Sequence, residues 1–101
     1  MSNYRQGDVA LFKIKEALAD TLKVKNDCIL ARGEATGATH ELIGGIVYED
    51  EEGNMYVQVD EEGQLIHNQG FGEDNHNTLT IEKGTYKVNI ERDYYNRRII
   101  D

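Results

Sequence analysis

The stretch Thr85-Tyr86-Lys87-Val88-Asn89-Ile90-Glu91-Arg92 is the most strand-like part of the sequence. In an extended chain, Tyr86, Val88 and Ile90 lie on one face, and the polar residues between them lie on the other. β-Branched and aromatic residues repeated with a period of two are typical of a strand with one buried face. We therefore predict a strand over residues 85–92 whose apolar face lies in the core.

A second alternating stretch lies in the middle of the chain. Residues 55–59 place a methionine and two valines, with Val57 at the centre, on one face, and a tyrosine and a glutamine on the other. Two copies of Asp-Glu-Glu-Gly, at residues 50–53 and 60–63, flank this stretch. Acidic residues followed by glycine are typical of turns, so we predict two consecutive antiparallel hairpins with Val57 in the core.

The remaining segments complete an all-β prediction. Further strands are predicted at residues 8–14, 27–32, 42–48, 64–67, 78–81 and 97–100, with a bulge at Gly44-Gly45 and a turn at Lys83-Gly84. Residues 15–22 have apolar side chains at helical spacing, which predicts one or two helical turns. About seven or eight short strands are typical of a small antiparallel barrel or sandwich. We predict one all-β domain over residues 1–101, with at most one short helix.

The composition is that of an acidic globular domain. The chain has 101 residues and a formal net charge of −8, with 39% hydrophobic and 30% charged residues. This charge repels phosphate backbones, so we expect no direct binding to nucleic acid. The negative charge favours binding to a basic protein surface, or it only keeps a small protein soluble. We also expect a homo-oligomer to be favourable, because so small a core gains from burying strand edges.

Cys28 is the single cysteine, so no intrachain disulfide can form and no oxidising compartment is needed. Its place in an apolar run predicts a buried core thiol rather than a nucleophile. The N-terminal residues include no apolar leader, and no stretch is long enough to span a membrane. We therefore expect a cytoplasmic protein without a membrane partner.

Five groups of residues, taken in their order along the chain, form one motif pattern. They are Tyr4-Arg5-Gln6-Gly7-Asp8-Val9, Gly33-Glu34-Ala35-Thr36-Gly37-Ala38-Thr39-His40-Glu41-Leu42, the pair His67 and His76, Gly84-Thr85-Tyr86-Lys87-Val88, and Arg92-Asp93-Tyr94. In this order they resemble a family of small, uncharacterised bacterial and phage proteins. Ala38 stands where that family has the first histidine of a His-x-His pair, and His40 matches the second. The resemblance covers nearly the whole chain and implies no particular activity.

The three histidines of the chain, His40, His67 and His76, each match a histidine of the resembled pattern. All three lie at or near the ends of predicted loops, which neighbouring strand ends of a small barrel can bring together. Three imidazoles can bind zinc or another divalent ion and leave a coordination position open. We therefore predict a metal site at these three residues, and the alternative is three separate rim residues without a ligand.

Four further residues are candidates for ligand binding. Glu34 and Glu41 are the nearest acidic neighbours of His40, and we predict that they orient imidazoles or add oxygen ligands. The loop that contains Glu34 has backbone N–H groups suited to an anion, or it is a plain connection. Arg92 and Tyr94 belong to a basic and aromatic patch that suits a phosphate or a protein partner. The alternative for this patch is an edge strand protected by its charges.

These features favour a small acidic binding module that holds a metal ion such as zinc, or a small anionic ligand. One alternative is a phage-type acidic inhibitor whose partner is a host defence protein or nucleic-acid enzyme. Another is a metal-dependent hydrolase that uses the same histidines with a carboxylate as base. The sequence has no Ser-His-Asp order with glycine turns, no paired catalytic carboxylates and no cofactor fingerprint, so it assigns no catalytic residue.

Overall fold

The computed structural model describes residues 3–32, 38–68 and 78–90. Within these ranges the chain is all-β, without a helix, and its strands join into one antiparallel sheet that curls into a half-barrel. The strands are β1 Asn3–Gln6, β2 Val9–Ile14, β3 Lys23–Val24, β4 Ile29–Arg32, β5 Thr39–Ile43, β6 Ile46–Glu49, β7 Met55–Asn68 and β8 Leu79–Ile90. The all-β, barrel-like prediction is therefore confirmed.

The sheet is organised around its two longest strands, β7 and β8. The strand order is β1-β2-β8-β7-β5-β4, while β6 also pairs with β7 and β3 pairs with β6. One edge of β7 pairs with β8, and the other edge pairs first with β6 and then with β5. Because both edges of β7 are hydrogen-bonded, its path decides how the rest of the sheet bends.

The hydrophobic core lies on the face of the sheet that the alternating apolar residues predict. Val57 and Tyr86 are completely buried, Val88 is nearly so, and Ile90 is half-buried and packs against the same cluster. The other fully buried large apolar side chains are Leu11, Leu42, Leu65, Ile81, Val9 and Val59. Full burial of each such side chain stabilises the fold by about 1.5–3 kcal/mol, so this cluster provides the main driving force for folding.

The first of the two predicted Asp-Glu-Glu-Gly turns is confirmed, and the second is wrong. Residues 50–53 connect β6 to β7, whereas residues 60–63 lie inside the fourteen-residue strand β7. The pairing with β8 shifts in register between Val59 and Glu62, so this segment forms an irregularity and not a chain reversal. Before and after this segment β7 pairs with strands on both of its edges, and these ladder hydrogen bonds override the local turn chemistry.

The predicted turn at Lys83-Gly84 is also wrong, because these residues lie within β8. Two tyrosine hydroxyls satisfy the backbone of Glu82 beside the irregularity: Tyr4 Oη accepts from its N–H at 3.1 Å, and Tyr86 Oη donates to its carbonyl at 2.7 Å. Burial raises the pKa of Tyr86, with Tyr4 and Glu82 adding to the shift, so the hydroxyl keeps its proton. Side chains thus replace ladder hydrogen bonds where β8 would otherwise be interrupted.

The interruption predicted at Gly44-Gly45 is confirmed, but it is a bend that separates β5 from β6 and not a bulge within one strand. Both strands pair with β7, on either side of its irregular segment. Gly44 has a φ of 88°, and a Cβ atom there would lie 2.8 Å from the Glu62 carbonyl oxygen. Glycine at this position therefore permits both the backbone conformation and the close approach to β7.

Two local predictions fail in the N-terminal half. Residues 15–22 form no helix and contain a turn in which Leu22 N–H donates to the Ala19 carbonyl at 3.2 Å. This segment is too short to be helical without a packed apolar face. Cys28 is half-buried just before β4 and is not a core thiol. The strand predicted at residues 97–100 lies outside the described residues.

No helix long and apolar enough to cross a membrane is present in the part of the chain that the structure describes.

Replacing Gly44 with alanine is expected to destabilise the protein more than replacing Gly53. Both glycines have a positive φ, 88° and 90°, so both substitutions strain the backbone similarly. A Cβ atom at Gly44 would meet Glu62, whereas one at Gly53 would have no atom of the described residues within 4 Å. We expect an additional loss of about 1–3 kcal/mol of unfolding free energy in urea denaturation. Equal losses would contradict close packing between Gly44 and β7.

Asp50 is expected to stabilise the β6–β7 turn in a pH-dependent way. Its carboxylate accepts the backbone N–H groups of Glu52 and Asn54, and the Asn54 side-chain amide. The Asn54 side-chain hydrogen bond, followed by the backbone hydrogen bonds, lowers the pKa of Asp50 below its ordinary 3.8. A lowered pKa means stability that is present above pH 3.8 and lost as the pH falls through the folded-state value.

Asp50→Ala should therefore lower the melting temperature at pH 7, and the difference from wild type should shrink in acid. Glu51→Ala is the matched control, because Glu51 is an exposed acid of the same turn. Thermal unfolding followed by circular dichroism measures both effects. A pH-independent difference for Asp50→Ala would show that its charge does not stabilise the turn.

Candidate functional site

Gln6 and His40 are the two buried polar residues in the described ranges, with 3% and 7% of their surfaces exposed. They contact each other, because Gln6 Oε1 lies 2.8 Å from His40 Nδ1. A buried polar side chain lowers stability unless it is hydrogen-bonded, so a satisfied pair inside an otherwise apolar core is a candidate site.

The curl of the sheet brings these two residues together. Gln6 ends β1, His40 lies in β5, and three strands separate β1 from β5 in the sheet order. The turn after Gln6 contains Gly7, which has a φ of 61°, followed by Asp8. A Cβ atom at Gly7 would lie 3.2 Å from His40 Cε1, tighter than ordinary packing. Glycine therefore permits this turn to pack against the imidazole.

The hydrogen bonds determine which nitrogen of neutral His40 carries the proton. The Gln6 side-chain Nε2 donates to the Leu65 carbonyl at 2.9 Å, which orients the amide so that Oε1 faces His40. Since Oε1 can only accept, His40 Nδ1 must donate, and Nε2 is the unprotonated nitrogen of the neutral ring. His40 Nε2 lies 3.6 Å from Asp8 Oδ1, a distance at which a positively charged ring forms an ion pair with the carboxylate.

His67 stacks on His40 from the neighbouring strand. The two residues face each other in the β5–β7 register, and their rings are parallel within 2° with centroids 4.4 Å apart. Imidazole lone pairs lie in the ring plane, so two parallel rings do not direct their nitrogens toward one ion. In keeping with this, residues 3–32, 38–68 and 78–90 contain no group of three His, Cys, Asp or Glu side chains that could hold a metal ion.

The structure thus brings together two of the three predicted ligands. His67 is half-buried, and it would have to turn out of the stack to share an ion with His40. His76 lies outside the described residues, so the three-histidine metal site stays a prediction. Glu34, Arg92 and Tyr94, predicted as ligand-binding residues, also lie outside them.

Glu41 lies beside His40 in the sequence but contacts other residues. Successive side chains of a strand point to opposite faces, so Glu41 is on the face of β5 away from the imidazole. Its Oε2 accepts a hydrogen bond from Thr39 Oγ1, and its Oε1 lies 4.0 Å from Cys28 Sγ. Among the described residues, Asp8 has its carboxylate next to His40.

Gln6 and Asp8 are the site residues that the sequence reasoning missed. Both belong to the Tyr4–Val9 segment, which carried the family resemblance but suggested no chemistry on its own. The available signal was a glycine between two polar side chains directly before an apolar strand. That pattern indicates a tight turn that presents polar groups, but it does not name their partner.

A separate surface feature is the acidic bend, which we define as Asp60, Glu61, Glu62 and Glu82. All four side chains are exposed, and Glu62 faces Glu82 across the β7–β8 pairing. Lys13 Nζ lies 3.1 Å from Glu82 Oε2 and offsets part of this charge. The bend therefore combines an irregular backbone with a concentrated negative charge.

The fold and the site together define a small all-β domain with a buried glutamine–histidine pair. A family model described as "Domain of unknown function (DUF8820)" matches residues 5–91. This match covers most of the chain, and the protein belongs to that family. No curated protein and no solved structure matches the chain. The matched range includes Gln6, Asp8, His40 and His67.

Proposed function

We propose that the protein is a small acidic binding module that holds a divalent metal ion or a small anionic ligand at His40 and His67, with His76 as a third ligand. The observation that carries this proposal is the buried His40 ring, which Gln6 and Gly7 hold in one orientation, while His67 lies against its face and would turn to reach the same ion. Binding sites benefit from side chains that are already ordered, because less conformational entropy is lost when the ligand binds.

A metal ion suits the hydrogen bonding of His40. Histidines that bind metals generally donate their other ring N–H to a carbonyl or carboxylate, which sets the tautomer and the ring orientation. The Gln6 side-chain carbonyl provides such an acceptor, and the bond to Leu65 holds the amide in place. Imidazole is a common ligand for zinc and other first-row dications, so the donor set fits this class of ion.

The biological setting is also part of the proposal. The motif series resembles small bacterial and phage proteins, which supports a phage-associated role in the bacterial cytoplasm. Among the described residues, β1 and β4 stand at the two ends of the main strand order, and the edges of such strands can pair with another copy of the chain. A homo-oligomer would cover these edges.

Zinc is expected to raise the melting temperature of the wild-type protein, because a ligand that binds only the folded state stabilises it by mass action. At a zinc concentration about 100 times the dissociation constant, the stabilisation is about 2.7 kcal/mol. The zinc-dependent shift should be largely lost in His40→Ala and reduced in His67→Ala and His76→Ala. Each variant is compared with itself, with and without zinc, so a lower starting stability does not confuse the result.

Glu51→Ala is the control and should keep the full zinc shift. Inorganic phosphate is tested in the same series, and a shift with phosphate that His40→Ala removes would identify an anion site. No shift with either ligand, or shifts that all three histidine variants retain, would contradict the proposed binding function.

The acidic bend favours a second candidate, an acidic inhibitor of a host defence or nucleic-acid enzyme. Four exposed carboxylates on an irregular strand pair can imitate the charge of a phosphate backbone toward a basic surface. The proposal is that this bend binds the basic nucleic-acid groove of a host nuclease.

We expect a host nuclease to be recovered from lysate with the wild-type protein and released by salt, because exposed charge pairs are screened. The triple variant Asp60→Asn, Glu61→Gln, Glu62→Gln should lose this partner. The matched control, Glu16→Gln, Asp20→Asn, Glu51→Gln, removes the same charge from exposed positions elsewhere and should retain it. Equal recovery with both triple variants would contradict binding at the bend.

A further inference from the structure

We propose that Asp8 is a second ligand beside His40, and that the site therefore takes a first-row divalent cation and rejects anions. This inference rests on the proposed function and decides between its two classes of ligand. It assigns a role to a residue of the Tyr4–Val9 segment and requires only His40 and Asp8 as protein ligands.

The first step is the direction in which His40 presents its electron pair. The Leu65 carbonyl accepts from Gln6 Nε2, Gln6 Oε1 accepts from His40 Nδ1, and the neutral ring is left with its lone pair on Nε2. The chain of hydrogen bonds ends at a backbone carbonyl, which cannot donate. Its direction is therefore the same whenever the ring is neutral.

The second step is what Nε2 faces. Asp8 Oδ1 lies 3.6 Å away, so a carboxylate oxygen lies close to the nitrogen that has the lone pair in the neutral ring. Two electron-pair donors at this distance repel an anion and attract a positive charge between them. A metal cation can occupy that position, whereas phosphate or another small anion would place a second negative charge beside the Asp8 carboxylate.

The third step is the distance itself. Zinc ligands lie about 2.1 Å from the metal, so an ion bound to both atoms would have an Nε2–metal–Oδ1 angle of about 120°. This angle is near those of tetrahedral and trigonal coordination, so the 3.6 Å separation allows binding with little rearrangement. The Asp8 side chain is 31% exposed, which leaves room for water in the remaining coordination positions.

The fourth step is the kind of cation. A site with one imidazole and one carboxylate suits zinc and the neighbouring first-row dications, whereas magnesium and calcium prefer ligand sets made only of oxygen. His67 covers one face of the His40 ring at 4.4 Å and limits the motion of the imidazole. The site is therefore expected to bind zinc and to discriminate against magnesium.

Isothermal titration of the full chain with zinc chloride tests the inference. Asp8→Asn, which has nearly the same shape, should weaken zinc binding by about tenfold or more, since even residues that only support metal ligands change affinity by about 10–100-fold. Asp20→Asn is the matched control, because it removes the same charge from an exposed position outside the site. It should leave the affinity within about twofold, an effect of general charge alone.

The variants separate this inference from the proposed function. Loss of zinc binding in both Asp8→Asn and His40→Ala supports both. Loss in His40→Ala alone overturns the assignment of Asp8 and leaves the binding function standing. Binding of phosphate without zinc by the wild type overturns the cation preference, and zinc binding that survives His40→Ala overturns both.

A spectroscopic measurement on the wild type gives a test that does not depend on a variant folding. Long-range proton–nitrogen correlation spectra of the metal-free protein at about pH 8, where imidazoles are ordinarily neutral, should show the His40 proton on Nδ1. Zinc should then shift the Nε2 resonance and leave the Nδ1 proton in place. A proton on Nε2 under these conditions overturns the inference.

Discussion

Hydrogen bonding along both edges of β7 is the constraint on which the rest of the structure depends. The strand pairs with β8 on one side and with β6 and then β5 on the other, so it cannot shift its register without breaking both ladders. Val57, Val59 and Leu65 point from β7 into the core and are fully buried. A slip of one residue would expose all three and move His67 away from His40.

The irregular middle of β7 lets a long strand serve two parts of the curled sheet. The register with β8 changes between Val59 and Glu62, and Gly44 on the other side allows the chain to follow the bend. The hydroxyls of Tyr4 and Tyr86 satisfy the backbone of Glu82 at the same level. These features bend β7 and β8, which would otherwise be flat. Bulges generally add curvature to a sheet in this way.

Curvature in turn creates the candidate site. Gln6 and His40 come from strands that lie far apart in the sheet order, and they meet because the half-barrel brings the β1–β2 turn over β5 and β7. The buried amide and imidazole then satisfy each other inside an apolar core.

The sequence by itself determined the class of fold and the core face, and it named part of the candidate site. Alternation around Val57 and Tyr86 is a local property, because side chains of a strand change face at every residue, and it therefore predicted burial correctly. It also singled out His40 and His67. Only the tertiary structure decided that residues 60–63 continue a strand and that Gln6 and Asp8 adjoin His40. Those outcomes depend on hydrogen bonds and contacts between residues far apart in the chain, which local patterns of charge, glycine and hydrophobicity do not encode.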